Sequence, residues 1–427
     1  MATKPHKMLL LRCSRKSRSA SNLRLFASYT PMLDISAVQA ALTEYDFDGW
    51  LLYDFRGSNV LAKRVLGIGD DVMGSRRFMY FIPKEGEPRK LCHRIEAGML
   101  DHLPGEKTIY LKWQELEAGV ASLVSGSKRI AMEYSPRNAN PYISRVDAGT
   151  VELVRSNNVE VANSGDLIQL FEATLDEDQE ASHFEASKLT HEAFLIVWQL
   201  IADTVRKDGS IEEMTVSDRI MQHFADNAME TYHPPIVGVG PNGGDPHYET
   251  GTGANTVIKE GDLVLVDLWA KMSRPGAIYS DQTRMGFVGT ECPTKYEEVF
   301  AVACAGRDAG IKCVKDAFAS STPLQGWEVD DATRAPIEAA GLGEFFVHRT
   351  GHNIGQEVHG NGAHIDNLET KETRRILPRT CFSIEPGIYQ PEFGVRTEID
   401  VYIGADGEVH VTGGELQSKV ECILAGR

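Results

Sequence analysis

LVLVDLWAKMSRPGAIYSDQTRMGFVG, residues 263–289, is the stretch whose reading decides the fold. LVLVDLWA is an apolar run of strand length that delivers Asp267, and IYSDQTRMGFVG is a second that delivers Asp281. Pro275 and Gly276 stand between them, as a hairpin turn requires. An apolar strand does not bury a carboxylate without compensation, because an unpaired one is either costly to desolvate or driven neutral. Two such strands, each with one Asp, point to a cation between them. Taken singly, either Asp is more often a strand-end cap or half of an ion pair.

The same arrangement recurs towards the C-terminus. FSIEPGIY places Glu385 at the end of an apolar strand, just before a Pro386–Gly387 turn, and VRTEIDVYI places Glu398 inside another. Arg396 lies two residues before Glu398, so in a continuous strand it shares that face. His352 comes from a Gly-rich segment, FFVHRTGHNIGQEVHG (345–360). Hard oxygen ligands of this kind suit divalent ions such as manganese, cobalt or iron and can bridge two of them. Four carboxylates and one imidazole are too many for one tetrahedral zinc and suit a paired site.

These segments resemble the creatinase and aminopeptidase P family of metallopeptidases, the "pita-bread" fold. That group includes prolidase, aminopeptidase P and methionine aminopeptidase. Its signature is an Asp on each of two paired strands, then a His, then two Glu. Here Asp267, Asp281, His352, Glu385 and Glu398 match in that order. The resemblance covers about residues 175–427, and about 34–165 is similar to the N-terminal domain of the prolidase and aminopeptidase P branch.

The resemblance implies an α/β (α+β) chain with a creatinase-like N-terminal domain over 34–170 and a pita-bread catalytic domain over 171–427, after the basic extension over 1–33 that composition marks off. It implies two divalent ions, manganese first, with cobalt, iron or zinc as alternatives, and hydrolysis of Xaa-Pro bonds as dipeptidase or aminopeptidase. Glu385 would act as general base. His247 in PHYETG matches the His that lies beside the substrate, His359 the one that contacts its carbonyl oxygen, and Arg396 a partner of a metal carboxylate. On spacing alone, either His reads as an ordinary surface or core residue. A peptide with proline second, a homodimer and a cytoplasmic location are the expected partner, assembly and compartment.

The sequence departs from the family pattern in three places. Trp269 stands where a small residue is common. The spacing between the two Asp is three residues longer than usual, and Arg349 follows His348 where Gly is usual. Bulk beside the site leaves room for a metal-retaining lyase, similar to the dimethylsulfoniopropionate lyases of this fold. A non-catalytic binding module is disfavoured, because such a domain should have lost part of the set.

Composition narrows the rest. The 427 residues give a prior of two or three domains, and 42% hydrophobic with 25% charged is ordinary for a globular chain. A formal charge of −17 and the lack of a basic, aromatic-rich stripe argue against nucleic acid. Seven cysteines, an odd number with no C-x-x-C pair, argue against a disulfide framework or zinc cluster and fit a reducing compartment. No apolar run reaches the ~18 residues that a membrane span needs. Residues 1–33 hold seven Lys or Arg and no acid, which reads as a disordered extension: a transit-like segment, or residues upstream of a true start at Met32.

Before the hairpin, DISAVQAALTEYDFDG predicts a helix capped by Asp34. WLLYDF, RRFMYFIP, KTIYLKW and KRIAMEY predict strands. A long helix runs from about Asp176 to Gly209, a second spans the segment IEEMTVSDRIMQHFADNAME, and residues 303–340 read mostly as helix.

Overall fold

The computed structural model describes residues 33–426 except 70, 71, 73, 254 and 255, so most of the basic extension lies outside the described residues. Helix α1 (Ile35–Glu44) begins where expected, with the Asp34 carboxylate accepting the N–H groups of Ser36 and Ala37. Strands β1 (Gly49–Asp54), β2 (Phe78–Pro83), β3 (Arg89–His93), β4 (Glu106–Tyr110), β5 (Arg129–Met132) and β6 (Glu160–Asn163) form one sheet in the order β4-β3-β2-β1-β5-β6. Helices α2 (Val60–Val65), α3 (Trp113–Leu123), α4 (Ala148–Arg155) and α5 (Gly165–Glu172) complete this part. Every residue of β1 is buried, because both faces of the sheet are covered. Trp50 and Leu52 pack with α1, α2 and α5, whereas the alternating Leu51 and Tyr53 pack with α3 and α4.

Helix α6 (Glu177–Asp208) follows, capped by Asp176 and stopped by Gly209 at φ 85°. The second expected helix is shorter than its segment. It starts as strand β7 (Ser210–Glu212), runs as α7 (Glu213–Asp226) and ends in β8 (Met229–Glu230). Then come β9 (Ile236–Val239), β10 (Val257–Lys259), β11 (Leu263–Met272) and β12 (Ser280–Phe287). Strands β11 and β12 pair antiparallel, with Asp267 opposite Thr283 and Trp269 opposite Asp281.

The region expected as mostly helix over 303–340 is two helices, α8 (Thr294–Ala319) and α9 (Gly326–Ala339), and the first starts earlier than expected. The chain closes with β13 (Asn353–Ile354), β14 (Cys381–Ile384), β15 (Gly387–Gln390), β16 (Phe393–Arg396), β17 (Ile399–Ile403), β18 (Val409–Thr412) and β19 (Glu421–Cys422).

Two sheets face each other here. In one, β11 and β12 are flanked by β8, β9 and β19; the other has the order β13-β14-β17-β18. Val264, Val266, Leu268 and Ala270 of β11 pack against Phe194, Val197 and Ile201 of α6. The alternate residues Leu263, Leu265, Asp267 and Trp269 therefore turn to the opposite face. Phe382, Ile384, Ile399 and Val401 pack against Ile311 and Val314 of α8 and Val329 of α9. Each sheet is thus backed by helices on one face, and the carboxylate-bearing residues project from the other. Among the described residues no helix is long and apolar enough to cross a membrane, and six cysteines are free.

Candidate metal centre

Asp267 and Asp281 sit diagonally across the β11–β12 pair, so the pleat aims both from one face. Glu385 immediately follows β14 and Glu398 immediately precedes β17, and the adjoining Ile384 and Ile399 are a paired register position. Both glutamates therefore leave the second sheet at the same end. Sequence reasoning placed Glu398 inside a strand. Instead it forms an isolated bridge with Thr283, because the chain leaves its pairing with β15 after Arg396 and joins β14 only at Ile399. That bridge fastens the two sheets together at the site.

Four buried side chains, Asp267, Asp281, His352 and Glu398, and the partly buried Glu385 meet there. His352 Nε2 lies 3.5 Å from Asp281 Oδ2 and 3.4 Å from Glu385 Oε1. Asp281, His352 and Glu398 each offer a ligand atom within 4.8 Å of the others. His352 Nδ1 faces the Asn353 carbonyl at 3.3 Å, which favours the tautomer that leaves Nε2 free as a donor to a cation. Arg396 forms a buried ion pair with Asp267 and donates to Thr283 Oγ1 at 2.9 Å. The Thr283 hydroxyl in turn donates to Glu398 Oε2 at 2.6 Å. Although Arg396 and Glu398 do not share one strand, the Arg396 Nε still comes within 3.9 Å of Glu398.

Four carboxylates against one guanidinium is an unfavourable balance for a buried site. Burial pushes Asp281 and Glu398 well up, and the neighbouring carboxylates add to it. Glu385 is raised to about 7, again chiefly by desolvation and with Arg396 opposing. His352 is held well below the usual histidine range by desolvation and then by His359. Asp267 Oδ1 and Asp281 Oδ1 are buried without a hydrogen-bond partner among the described residues. Divalent ions would satisfy those oxygens and the excess negative charge together, so these residues fit a metal pair.

The other expected residues are placed unevenly. The His359 ring meets the His352 ring edge-on at 4.3 Å. His359 is exposed overall, but desolvation of its ring and then the Arg349 charge hold its pKa below the usual histidine range. His247 is exposed, and its backbone N–H donates to Asp245. Among the described residues its ring makes no hydrogen bond or ring contact with the ligands. The next residue, Tyr248, is anchored through its hydroxyl to the buried Glu213.

Several residues were missed. Asp400 accepts from the Asp281 N–H (3.1 and 3.2 Å) and from Ser280 Oγ (2.8 Å), which fixes Asp281; its place two residues after Glu398 was the available signal. Trp269, flagged only as bulk, lies on the ligand face and is stacked on His233, with Tyr232 beside it. The Tyr232 hydroxyl is pushed up by desolvation and then by the charges of Asp281 and Asp267. Tyr142, from the N-terminal sheet region, accepts a hydrogen bond from Arg349 at 2.7 Å, and nothing in its local sequence announced that contact.

Comparison with known proteins follows the same lines. A family model described as metallopeptidase family M24 matches residues 181–405. The putative dipeptidase YkvY of Bacillus subtilis is 27% identical over 335 residues, which is 78% of this chain and 85% of that protein. The Xaa-Pro dipeptidase of Lactobacillus delbrueckii is 32% identical over 216 residues, about half of each chain (50% and 53%). The crystal structure of dipeptidase PepE from Mycobacterium ulcerans superposes with a TM-score of 0.66 at 20% identity, covering 91% of this chain and 96% of that one, so the likeness is one of fold. With the family signature on the facing sheets and the family model over more than half of its length, this chain belongs to metallopeptidase family M24.

Proposed function

We propose that the chain is a dinuclear metal-dependent peptidase that hydrolyses Xaa-Pro bonds. The convergence of Asp267, Asp281, His352, Glu385 and Glu398, with two carboxylate oxygens buried and unpartnered, is the observation that carries this reading. The name of the Lactobacillus relative supports proline as the second residue. Two divalent ions, manganese first among the candidates, would supply Lewis acidity and a water acidic enough to attack an amide near neutral pH.

The chain's own residues do the remainder. Glu385 takes the proton from the attacking water and returns it to the leaving amine. Arg396 and Thr283 hold Asp267 and Glu398 in place, and Asp400 holds Asp281. His359 and His247, both exposed towards solvent, are the donors assigned to the substrate. The reading carries with it residues 34–170 as the N-terminal domain, residues 171–427 as the catalytic domain, and a homodimer in the cytoplasm.

The test is hydrolysis of Ala-Pro, Ala-Pro-Ala and Ala-Ala with added manganese. Cleavage of the proline peptides by the wild type, and its loss in Glu385→Ala, is expected. Full metal-dependent peptidase activity in Glu385→Ala would overturn the assignment. A second reading is a lyase of small sulfonium substrates such as dimethylsulfoniopropionate. The aromatic wall of Trp269, Tyr232 and His233 favours it, because onium cations bind aromatic faces. Lyase activity without proline-peptide cleavage would select this reading.

A further inference from the structure

Four arginines of the described chain are buried: Arg307, Arg349, Arg374 and Arg396. Three have a carboxylate at hand, namely Asp308 for Arg307, Glu372 for Arg374 and Asp267 for Arg396. Arg349 is 9% exposed and has no carboxylate within ion-pair distance among the described residues. Among the described residues its one side-chain hydrogen bond runs from Nη1 to the Tyr142 hydroxyl, and its guanidinium lies 5.5 Å from that ring's centre. A buried cation without a paired anion is costly, and Arg349 has only the more distant Asp366 and Glu385 to offset it, so its guanidinium keeps donors unspent for an anion.

A second group beside the same ring is also unspent. The His364 ring lies 4.3 Å from the Tyr142 ring, and the residue is 2% exposed. Its Nδ1 accepts the Asn353 N–H at 3.1 Å, so the neutral ring carries its proton on Nε2. That Nε2 is buried with no partner among the described residues. Arg349 is within electrostatic reach of the candidate metal centre, since its charge acts on Glu385, His352 and His359.

We propose that Arg349 and the His364 Nε2–H, braced by Tyr142, form the pocket that takes a carboxylate of the peptide substrate. Tyr142 thereby brings the N-terminal domain into substrate selection. The inference rests on the peptidase reading and adds a carboxylate requirement to it. The carboxylate has two sources, the free C-terminus of a dipeptide or an acidic side chain before the scissile bond.

The test compares kcat/KM of the manganese-loaded full chain on Ala-Pro, Ala-Pro-amide and Glu-Pro-amide, in wild type, Arg349→Met, Arg349→Lys and Tyr142→Phe. The wild type should favour a carboxylate-bearing substrate over Ala-Pro-amide. Arg349→Met should shrink that preference about 10- to 100-fold, the worth of a charged hydrogen bond, mainly through KM. Arg349→Lys should restore part of it, and Tyr142→Phe should cause a smaller loss. Collapse of the Ala-Pro preference identifies the C-terminal carboxylate, and collapse of the Glu-Pro-amide preference identifies the side chain. Parallel falls on all three substrates, with the preference intact, would overturn the proposal.

If the wild type cleaves none of the three, the peptidase reading has failed, and binding decides the pocket separately. Calorimetric titration of the manganese-loaded protein with acetyl-proline and acetyl-prolinamide should then show a carboxylate preference that Arg349→Met reduces. An equal preference in both proteins overturns the pocket. Arg349 has no ion pair to leave broken, so the variant's melting temperature should match or exceed that of the wild type.

Discussion

Glu133 in the N-terminal sheet and Asp281 in the catalytic sheet are both enclosed carboxylates, yet their oxygens meet different company. Glu133 is fully buried just after β5. Its Oε1 accepts from Trp50 Nε1 at 2.7 Å and from Ser164 Oγ at 3.1 Å, and its Oε2 accepts from Asn59 Nδ2 at 2.8 Å. Asp281 has one oxygen facing His352 and another with no partner among the described residues, and four acidic neighbours, Glu398, Asp267, Glu385 and Asp400, raise its pKa further. Burial alone therefore does not mark a functional acid. A structural carboxylate is surrounded by donors, whereas a candidate ligand such as Asp281 keeps an oxygen unspent.

The sharpest way to break this contrast is to neutralise each acid. Asp281→Asn should lower metal affinity by more than about 100-fold, the upper figure for residues one shell further from an ion, and activity should fall with it. In metal-free protein the same change should not lower the melting temperature, because it removes a repelled charge. Glu133→Gln should leave manganese affinity as in the wild type. A manganese titration followed by melting, with chelator as control, reads both; equal loss of metal from the two variants would end the distinction. Saturation at 100 times Kd should add about 2.7 kcal/mol to the wild type and to Glu133→Gln, and almost nothing to Asp281→Asn.

His183 extends the contrast to a base. It is fully buried, with Nδ1 at 2.8 Å from the Tyr279 carbonyl and Nε2 at 2.9 Å from Thr412 Oγ1, and desolvation lowers its pKa to about 4. The folded chain wants the ring neutral, while the unfolded chain protonates it below about 6.5. Between those values the unfolded state binds more protons, so the stabilisation is present above pH 6.5 and lost as pH falls towards 4. The stability gap between wild type and His183→Gln should therefore narrow by about 3 kcal/mol from pH 7 to pH 4. Urea titrations at the two pH values measure it, and a constant gap would mean that the ring is protonated in both states.

The sequence shows the candidate ligands because a charged residue in an apolar strand contradicts its surroundings. Asp267 and Asp281 stood out that way, and the pleat placed them on one face as expected. The apolar run WLLYDF likewise predicts a strand, and the structure buries that strand on both faces. What stayed hidden depends on distance along the chain. Tyr142 reaches Arg349 across 207 residues, and Asn59 reaches Glu133 across 74. The break between Arg396 and Glu398 was hidden as well, because the chain changes pairing partner there, and only the tertiary arrangement selects the partner. Propensity over 211–230 favoured one helix, but both ends were drawn into ladders with β10 and β11.

Of the changes to neutral groups, Glu133→Gln should be the larger. The amide presents donors to Trp50, Ser164 or Asn59, and a mismatched buried donor costs about 2 kcal/mol. The smallest effects come from two tryptophans that differ only in their partners. Trp50 donates its indole N–H to Glu133, whereas the Trp269 Nε1 is buried with none. Trp50→Phe removes a hydrogen bond to a buried carboxylate and should cost about 1.5 kcal/mol beyond the loss of ring area. Trp269→Phe loses similar area but also relieves an unsatisfied donor, so its net cost should be smaller by about 1 kcal/mol or more. Parallel denaturant titrations of the metal-free proteins give the difference. Equal costs would mean that the Trp269 N–H has found a partner in solution, most simply a water on the ligand face, and the aromatic wall would then be wetter than its burial indicates.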